Sequence, residues 1–158
     1  GYEKAYTNVL AGHSGTNLVY EAAGMHASLL GCCLESYVID NDMLGAINRT
    51  IRGIEVTDES LSIDAIREVC IGGPSHFLGH SQTRALMQRD YVYPEVSDRL
   101  SPKEWNEKGR PDLLENARQR VAQILSAPRP VHIPTALDEA IRAQFPVRLP
   151  AENMGAIE

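Results

Sequence analysis

The sequence lacks any apolar run long enough to cross a membrane, since a transmembrane helix needs about 20 consecutive apolar residues and charged or polar residues interrupt every hydrophobic stretch here. It also lacks the basic-then-apolar start of a signal peptide. Positive charge is in deficit, with 15 Lys and Arg against 21 Asp and Glu and a net charge of -6. Because a negative protein repels nucleic acid and anionic lipid, we expect a cytoplasmic protein that binds neither nucleic acid nor membranes.

Cysteine is scarce, with thiols only at Cys32, Cys33 and Cys70. Three cysteines cannot all pair internally, and two adjacent cysteines make a strained disulfide. We therefore expect reduced thiols, with Cys70 on the apolar face of a helix as a small core residue. The chain has no C-x-x-C and no H-x-x-x-H spacing, so we expect no bound metal, although three thiols and five histidines leave zinc formally open.

A starting methionine is also absent, because the chain begins at Gly1. We expect the sequence to be a piece of a longer protein. Its 158 residues, of which 43% are hydrophobic and 23% charged, nevertheless suffice to bury a sizeable core.

Most of the sequence shows apolar residues at the spacing typical of amphipathic helices. One or two short strands are expected, and residues 18–20, with β-branched and aromatic side chains, are the best candidate. The acidic run at residues 40–42 is interpreted as a solvated helix start, since successive helical residues diverge by about 100° and cannot converge on one cation. Helices are predicted over 3–10, where Gly12 ends the helix, over 35–52, from Thr57 to 70, over 82–89, from a cap at Ser101, over 111–125, and after Thr135. The tail over 146–158 lacks periodicity.

Five sequence blocks together carry a resemblance that no single block would carry. In order they are residues 1–5 (GYEKA), 15–24 (GTNLVYEAAG), 35–43 (ESYVIDNDM), 52–56 (RGIEV) and 72–78 (GGPSHFL). From residue 1 to about residue 125 the chain resembles the trimethylamine methyltransferase family. The resemblance is closest to members that do not depend on pyrrolysine, such as the glycine betaine methyltransferases.

The resemblance implies a fold of the α/β class. Family members look like (β/α)8 TIM-type barrels, and a whole barrel needs about 250 residues. This chain would then be the C-terminal part of such a barrel, mostly helical, with the last barrel units and appended helices over 1–125. Residues 126–158 would form a Pro-rich extended segment, a short helix and a tail.

The resemblance also implies an activity, the transfer of a methyl group from a tertiary or quaternary amine to the cob(I)alamin form of a corrinoid. The corrinoid would be carried by a partner protein, the enzyme would be a homo-oligomer, and the reaction would serve one-carbon metabolism such as methanogenesis. Such chemistry needs aromatic faces for the cation and a carboxylate to balance it. It needs no catalytic triad.

Candidate site residues follow from the barrel geometry that the resemblance implies, because chemistry in barrels gathers where strands end. If residues 18–20 are a barrel strand, its C-terminal edge carries Glu21 as a candidate catalytic residue. Substrate-binding candidates at the same edge are Tyr20, Gly24, Met25 and His26. Tyr20 is equally well an inward barrel filler, and Glu21 has a simple salt bridge as its alternative. The family pattern has His where Glu21 stands and a bulky aromatic where Met25 stands, so the resemblance leaves the amine open.

His76 is the second candidate catalytic residue, because it lies inside the matched block over 72–78. The structural alternative is that this block only turns the chain, with Gly72, Gly73 and Pro74 ending a helix.

Two other functions remain open from the residues. One is a non-catalytic helical interaction module, which an exposed apolar stripe on the helix over 35–52 would favour. The other is a zinc-dependent corrinoid methyltransferase.

Overall fold

A computed structural model describes residues 1–127 and 132–150. The chain divides into two compact units, residues 1–120 and residues 121–158. The predicted start of the extended segment after residue 126 lies partly outside the described residues, as does the tail beyond residue 150. Within the described ranges, no helix is both long and apolar enough to span a bilayer.

The described elements are short helices around one small hairpin. In order they are α1 (Tyr2–His13), β1 (Met25–His26), β2 (Gly31–Cys32), α2 (Leu34–Arg52), α3 (Asp58–Leu61), α4 (Ile63–Cys70), α5 (Ser81–Asp90), α6 (Pro102–Glu107), α7 (Leu113–Ser126) and α8 (Thr135–Gln144). The two strands pair antiparallel, with Met25 opposite Cys32 and His26 opposite Gly31. Each predicted helix has a counterpart among these elements, although the one predicted from Thr57 to residue 70 corresponds to two helices, α3 and α4.

Helices α1 and α2 pack side by side and run in the same direction. Lys4 near the start of α1 binds Asp40 in the first half of α2, while Gly12 near the end of α1 lies against Ile51 near the end of α2. Two parallel neighbours require a return connection, which residues 14–33 supply. This return segment passes the start of α1 and carries the hairpin.

Gly12 does not end α1, contrary to the prediction. The helix continues to His13, and a Cβ on Gly12 would lie 2.1 Å from Cδ1 of Ile51. The missing side chain therefore lets α2 approach α1 closely, which is a packing reason for glycine inside a helix.

The helix predicted from Thr57 to residue 70 is broken in two at Ser62, whose φ is 57°. Thr57 caps α3 with Ser60 in a reciprocal capping box, so the cap itself is confirmed. Only Ala65 and Val69 of the expected apolar face are buried. Cys70 is exposed, because it lies about 100° around the helix from Val69, and its assignment to the core was wrong.

The strand predicted at residues 18–20 does not form within the described residues. Leu18 and Tyr20 are 81% and 79% exposed, and a strand is stable only when a neighbour pairs with its backbone groups. The hairpin lies instead at Met25–His26 and Gly31–Cys32. The composition of residues 18–20 favoured a strand, but the described chain offers no partner for it.

Contacts from α2 and α7 meet at the segment before α6, where Asp42 accepts from the Val96 N–H and Asn116 donates to the Val96 carbonyl; few apolar residues of the first unit are buried. The buried apolar residues are Ile47, Ala65, Val69, Val96 and Ala117. Several large apolar side chains remain exposed, among them Tyr2 at 93%, Leu30 at 89% and Ile54 at 83%.

In the second unit, Arg142 of α8 donates to the Asp138 carboxylate at 2.6 Å and to the Leu149 carbonyl at 2.5 Å.

Asp42 of α2 holds the segment that carries Val96. Its two carboxylate oxygens accept backbone N–H bonds from Glu95, Val96 and Ser97 at 2.9, 2.9 and 3.1 Å. Partial burial opposes ionisation, but these bonds outweigh it and lower the pKa of Asp42. The interpretation of residues 40–42 as a solvated helix start was wrong for Asp42.

Replacing Asp42 with Ala should destabilise the protein by about 1–2 kcal/mol, as expected for losing a carboxylate that caps backbone N–H groups. Because folding lowers the Asp42 pKa, its contribution is complete above the unfolded value of about 3.9 and is lost as the pH falls through the folded value. Melting temperatures of the full-length protein should therefore differ between wild type and variant at pH 7 and converge at lower pH. Asp64→Ala, which removes only an exposed pair with Arg67, is the matched control and should change little. An equal loss for both variants would contradict the capping role.

Candidate functional site

The candidate site is an open cavity of about 420 Å³ between the start of α1 and the return segment. One wall is α1 and the other is the stretch that leads into and around the hairpin. The lining residues are Gly1, Glu3, Lys4, Thr7, Asn8, Glu21, Ala22, Met25, His26, Ala27, Ser28 and Leu29.

Three of the residues proposed from the sequence meet in this cavity, namely Glu21, Met25 and His26. Gly24 lies behind the same wall and is buried. Tyr20 precedes Glu21 but is 79% exposed and does not line the cavity.

His76 lies in the exposed loop after α4, away from this cavity. The structure thus brings together the candidates from one sequence block and leaves His76 apart, so its role stays a prediction.

The cavity wall formed by the return segment, called the return wall below, has an unusual backbone. Among the described residues, seven other than glycine have a positive φ, and four of these line the cavity. They are Glu21 (60°), Ala27 (50°), Ser28 (51°) and Leu29 (73°). Such conformations cost about 1–3 kcal/mol each and gather at ligand sites, where the surrounding structure over-determines them.

Charge in the cavity is predominantly negative. Lys4 and the carboxylates of Glu3 and Glu21 face it, but Lys4 is paired with Asp40 at 2.6 Å. Within the part of the chain that the structure describes, neither Glu3 nor Glu21 has an ion-pair partner. The arrangement suits a small cation, because two carboxylates are left to balance its charge.

Asp40 connects the two walls from behind. Its Oδ2 accepts from Lys4 Nζ at 2.6 Å and from the Gly24 backbone N–H at 2.8 Å, and the residue is 5% exposed. The sequence interpretation of Asp40 as a solvated residue was therefore wrong. A signal was present, because Ser36, Asp40 and Ile47, the buried residues of α2, recur at helical spacing on one face.

His26 is oriented by the start of α2. Its Nε2 and the Ser36 hydroxyl form a hydrogen bond, and the Cys33 thiol donates to the same hydroxyl at 3.2 Å. Ser36 is buried, so the imidazole is fixed against α2. Sequence reasoning proposed His26 but missed Ser36 and the α1 residues Glu3, Lys4 and Asn8, since no local motif links α1 to the hairpin.

A larger cavity of about 530 Å³ lies between α3, α4 and α5. It contains no candidate from the sequence, and His80 there caps α5 by accepting from the Gln82 N–H at 3.3 Å. Four of its lining residues are acidic, Asp58, Glu59, Asp64 and Glu68, and the last three of these are paired with Arg89, Arg67 and His80 respectively. A group of helix-surface carboxylates is an ordinary solvated feature, so we do not regard this cavity as the functional site.

Metal ligands do not converge in either cavity. Across the described ranges, no group of three or more His, Cys, Asp or Glu side chains could hold a metal ion. Cys32, Cys33 and Cys70 are all free and exposed.

Comparison with known proteins gives one family. Residues 1–152 match the family model described as trimethylamine methyltransferase (MTTB). A trimethylamine methyltransferase MttB from Methanosarcina thermophila is 36% identical over 126 residues, which cover 79% of this chain and 25% of the relative. A glycine betaine methyltransferase from Desulfitobacterium hafniense (strain Y51) is 29% identical over 145 residues, which cover 92% of this chain and 29% of the relative. The chain thus spans about a quarter of the length of the relatives it matches.

Proposed function

Because this chain belongs to the trimethylamine methyltransferase family, we propose that its protein transfers a methyl group from a tertiary or quaternary amine to a corrinoid carried by a partner protein. The observation that carries the proposal within this chain is the cavity lined by Glu3 and Glu21, two carboxylates without an ion-pair partner among the described residues. A methylated amine is a small cation, and such a cavity suits its size and charge.

The proposed reaction asks little of acid or base groups. The nitrogen of a quaternary ammonium, or of a tertiary amine bound as its protonated ammonium ion, leaves as a neutral amine, so no further proton must be delivered to it. The corrinoid, when bound by its partner, would supply the nucleophile as cob(I)alamin. The protein must then bind the amine, hold one methyl group in line and exclude water.

Residues of this chain fit the binding part of that task. Glu21 would balance the positive charge of the amine together with Glu3 on the opposite wall. This charge balance is the catalytic contribution that we propose for Glu21. Met25 would offer an apolar contact to the methyl groups. His26, fixed by Ser36, would orient the amine from the hairpin. Among the described residues, no Phe, Tyr or Trp ring lines the cavity, so the cation would be held here mainly by carboxylates rather than by the large aromatic faces expected from the resemblance.

The fold proposal is that these residues belong to a longer chain with a (β/α)8 barrel, of which this chain is the C-terminal part. The exposure of Tyr2, Leu30 and Ile54 supports it, because large apolar side chains of this kind normally pack against other parts of a protein. A cytoplasmic homo-oligomer with a corrinoid protein as partner completes the proposal.

A helical interaction module is the second candidate, and α2 does not favour it. Leu34, Tyr37 and Ile51 are partly exposed on this helix, but the Tyr37 ring lies against Gly24 and Ile51 lies against Gly12. Helical spacing places the exposed residues Asn41, Gly45 and Asn48 on the same side as these residues. The face is therefore interrupted by polar residues and glycine, and it forms no continuous apolar stripe of the kind that docks a partner.

The reaction is tested by mixing the full-length protein with cob(I)alamin and adding trimethylamine, glycine betaine and related amines one at a time. We expect one of these amines to convert the cob(I)alamin spectrum to that of methylcob(III)alamin. Conversion that requires added zinc would favour the zinc-dependent alternative. Folded protein that converts no amine would contradict the proposed function.

Replacing Glu21 with Gln should lower methyl transfer about tenfold or more, because removing one carboxylate within contact distance of a cation costs on the order of 1–4 kcal/mol. The melting temperature should stay nearly unchanged, since Glu21 is exposed and unpaired in the described chain. Rates and melting curves of the full-length protein check both expectations. Glu55→Gln, an exposed carboxylate outside the cavity, is the matched control and should leave transfer unchanged. A large loss of stability with normal turnover would make Glu21 structural.

A further inference from the structure

Asp40 lies behind the cavity and is hydrogen-bonded to both of its walls. Its Oδ2 accepts from Lys4 Nζ at 2.6 Å on the α1 side. The same oxygen accepts from the Gly24 N–H at 2.8 Å on the return side. Gly24 directly precedes Met25 and His26, and Lys4 itself lines the cavity, so one oxygen atom fixes the spacing of the two walls.

The ion pair of Asp40 with Lys4 is well shielded, with 7% of the Asp40 side chain and 27% of the Lys4 side chain exposed. Charge-assisted bonds of this length are short and directional. Burying a charge is unfavourable unless its geometry is satisfied. Asp40 is therefore better suited to specifying one arrangement of its partners than to adding stability.

Gly24 reaches Asp40 only because it has no side chain. Its φ is +80°, and a Cβ at this position would lie 2.4 Å from the Tyr37 ring. The return wall thus lies directly on the face of α2 that carries Tyr37 and Asp40. Any displacement of Asp40 is passed to Gly24 and to the residues on either side of it, which include Glu21 and His26.

We propose that Asp40 is a positioning residue for methyl transfer, which holds the two cavity walls at one separation and so keeps Glu21 where the amine cation binds. This inference rests on the proposed function. Asp40 does not touch the amine, since it lies behind the walls and outside the cavity lining.

The test compares Asp40→Asn with Asp42→Asn in the full-length protein. Both variants remove one carboxylate charge from α2, but Asp42 binds the backbone of residues 95–97 and not the cavity walls. We expect Asp40→Asn to raise KM for the amine at least tenfold with a smaller change in kcat. Asp42→Asn should keep both constants within twofold of wild type, although it lowers the melting temperature.

Hydrogen exchange gives a readout that needs no turnover. The Gly24 amide and the peptide over 21–26 should lose protection in Asp40→Asn and keep it in Asp42→Asn. Asp40→Glu is a second variant that tests the inference even if Asp40→Asn fails to fold. It retains the charge and displaces the carboxylate by one methylene. It should fold yet raise KM at least fivefold.

Equal KM values for the Asp40 and Asp42 variants, with Gly24 exchange unchanged, would overturn the inference. A normal KM in folded Asp40→Glu would also overturn it, because a role in charge balance alone would survive that change. If the wild type transfers no methyl group from any amine, the proposed function fails and the positioning role for methyl transfer fails with it. The exchange comparison then still decides whether Asp40 holds the walls.

Discussion

The contact of Asp40 with Lys4 and Gly24 joins three segments that are distant in sequence. Helices α1 and α2 run in the same direction, so the chain must return over residues 14–33 before α2 can begin. That return segment has few regular hydrogen bonds of its own beyond the short hairpin. The buried carboxylate of Asp40 provides what the backbone does not, a fixed distance between α1 and the return wall. The close approach of α2 to α1 at Gly12 completes the arrangement at the other end of the helices.

The same contact also sets the charge of the cavity. Lys4 would otherwise offset one of the two carboxylates that face the space, but Asp40 neutralises it. Glu3 and Glu21 are then left to act on whatever enters. A buried acidic residue that does not face the cavity thereby makes the cavity attractive to a cation. The positive-φ residues Glu21, Ala27, Ser28 and Leu29 fit this account, since strained backbone persists where neighbouring contacts hold it in place.

Local features of the fold could be predicted from the sequence, because they depend on neighbouring residues. The capping signature at Ser101 and Glu104 is confirmed as a reciprocal capping box, and the hydrogen bonds from Ser101 lower the pKa of Glu104. The periodicity over 35–52 gave α2 almost to its ends. The family, read from five ordered blocks, is likewise confirmed.

Features that depend on distant residues could not be predicted in this way. The strand predicted at residues 18–20 does not form among the described residues. Strand formation depends on a neighbouring strand that pairs with the backbone, and the composition of a segment does not reveal whether such a neighbour exists. The placement of Gly12 inside α1 depends on packing against Ile51 of α2, and the break at Ser62 depends on a positive φ that its residue type does not indicate. Glu21, Met25 and His26 could be proposed together because they lie close to one another along the chain, whereas Glu3 and Lys4 line the same cavity from α1 and Asp40 contacts its walls from α2. Asp40 and Asp42 were mistaken for solvated residues because their partners lie between 16 and 55 residues away.

The central claim is that the carboxylates of this cavity recognise the positive charge of a methylated amine. Calorimetric titration of the full-length protein with glycine betaine and with 3,3-dimethylbutanoate tests it most directly, because the two molecules differ only in a charged nitrogen replaced by a neutral carbon. The account predicts that glycine betaine binds at least tenfold more tightly, a difference of about 1.4 kcal/mol, and that Glu21→Gln reduces this difference. Equal affinity for the two molecules would contradict it.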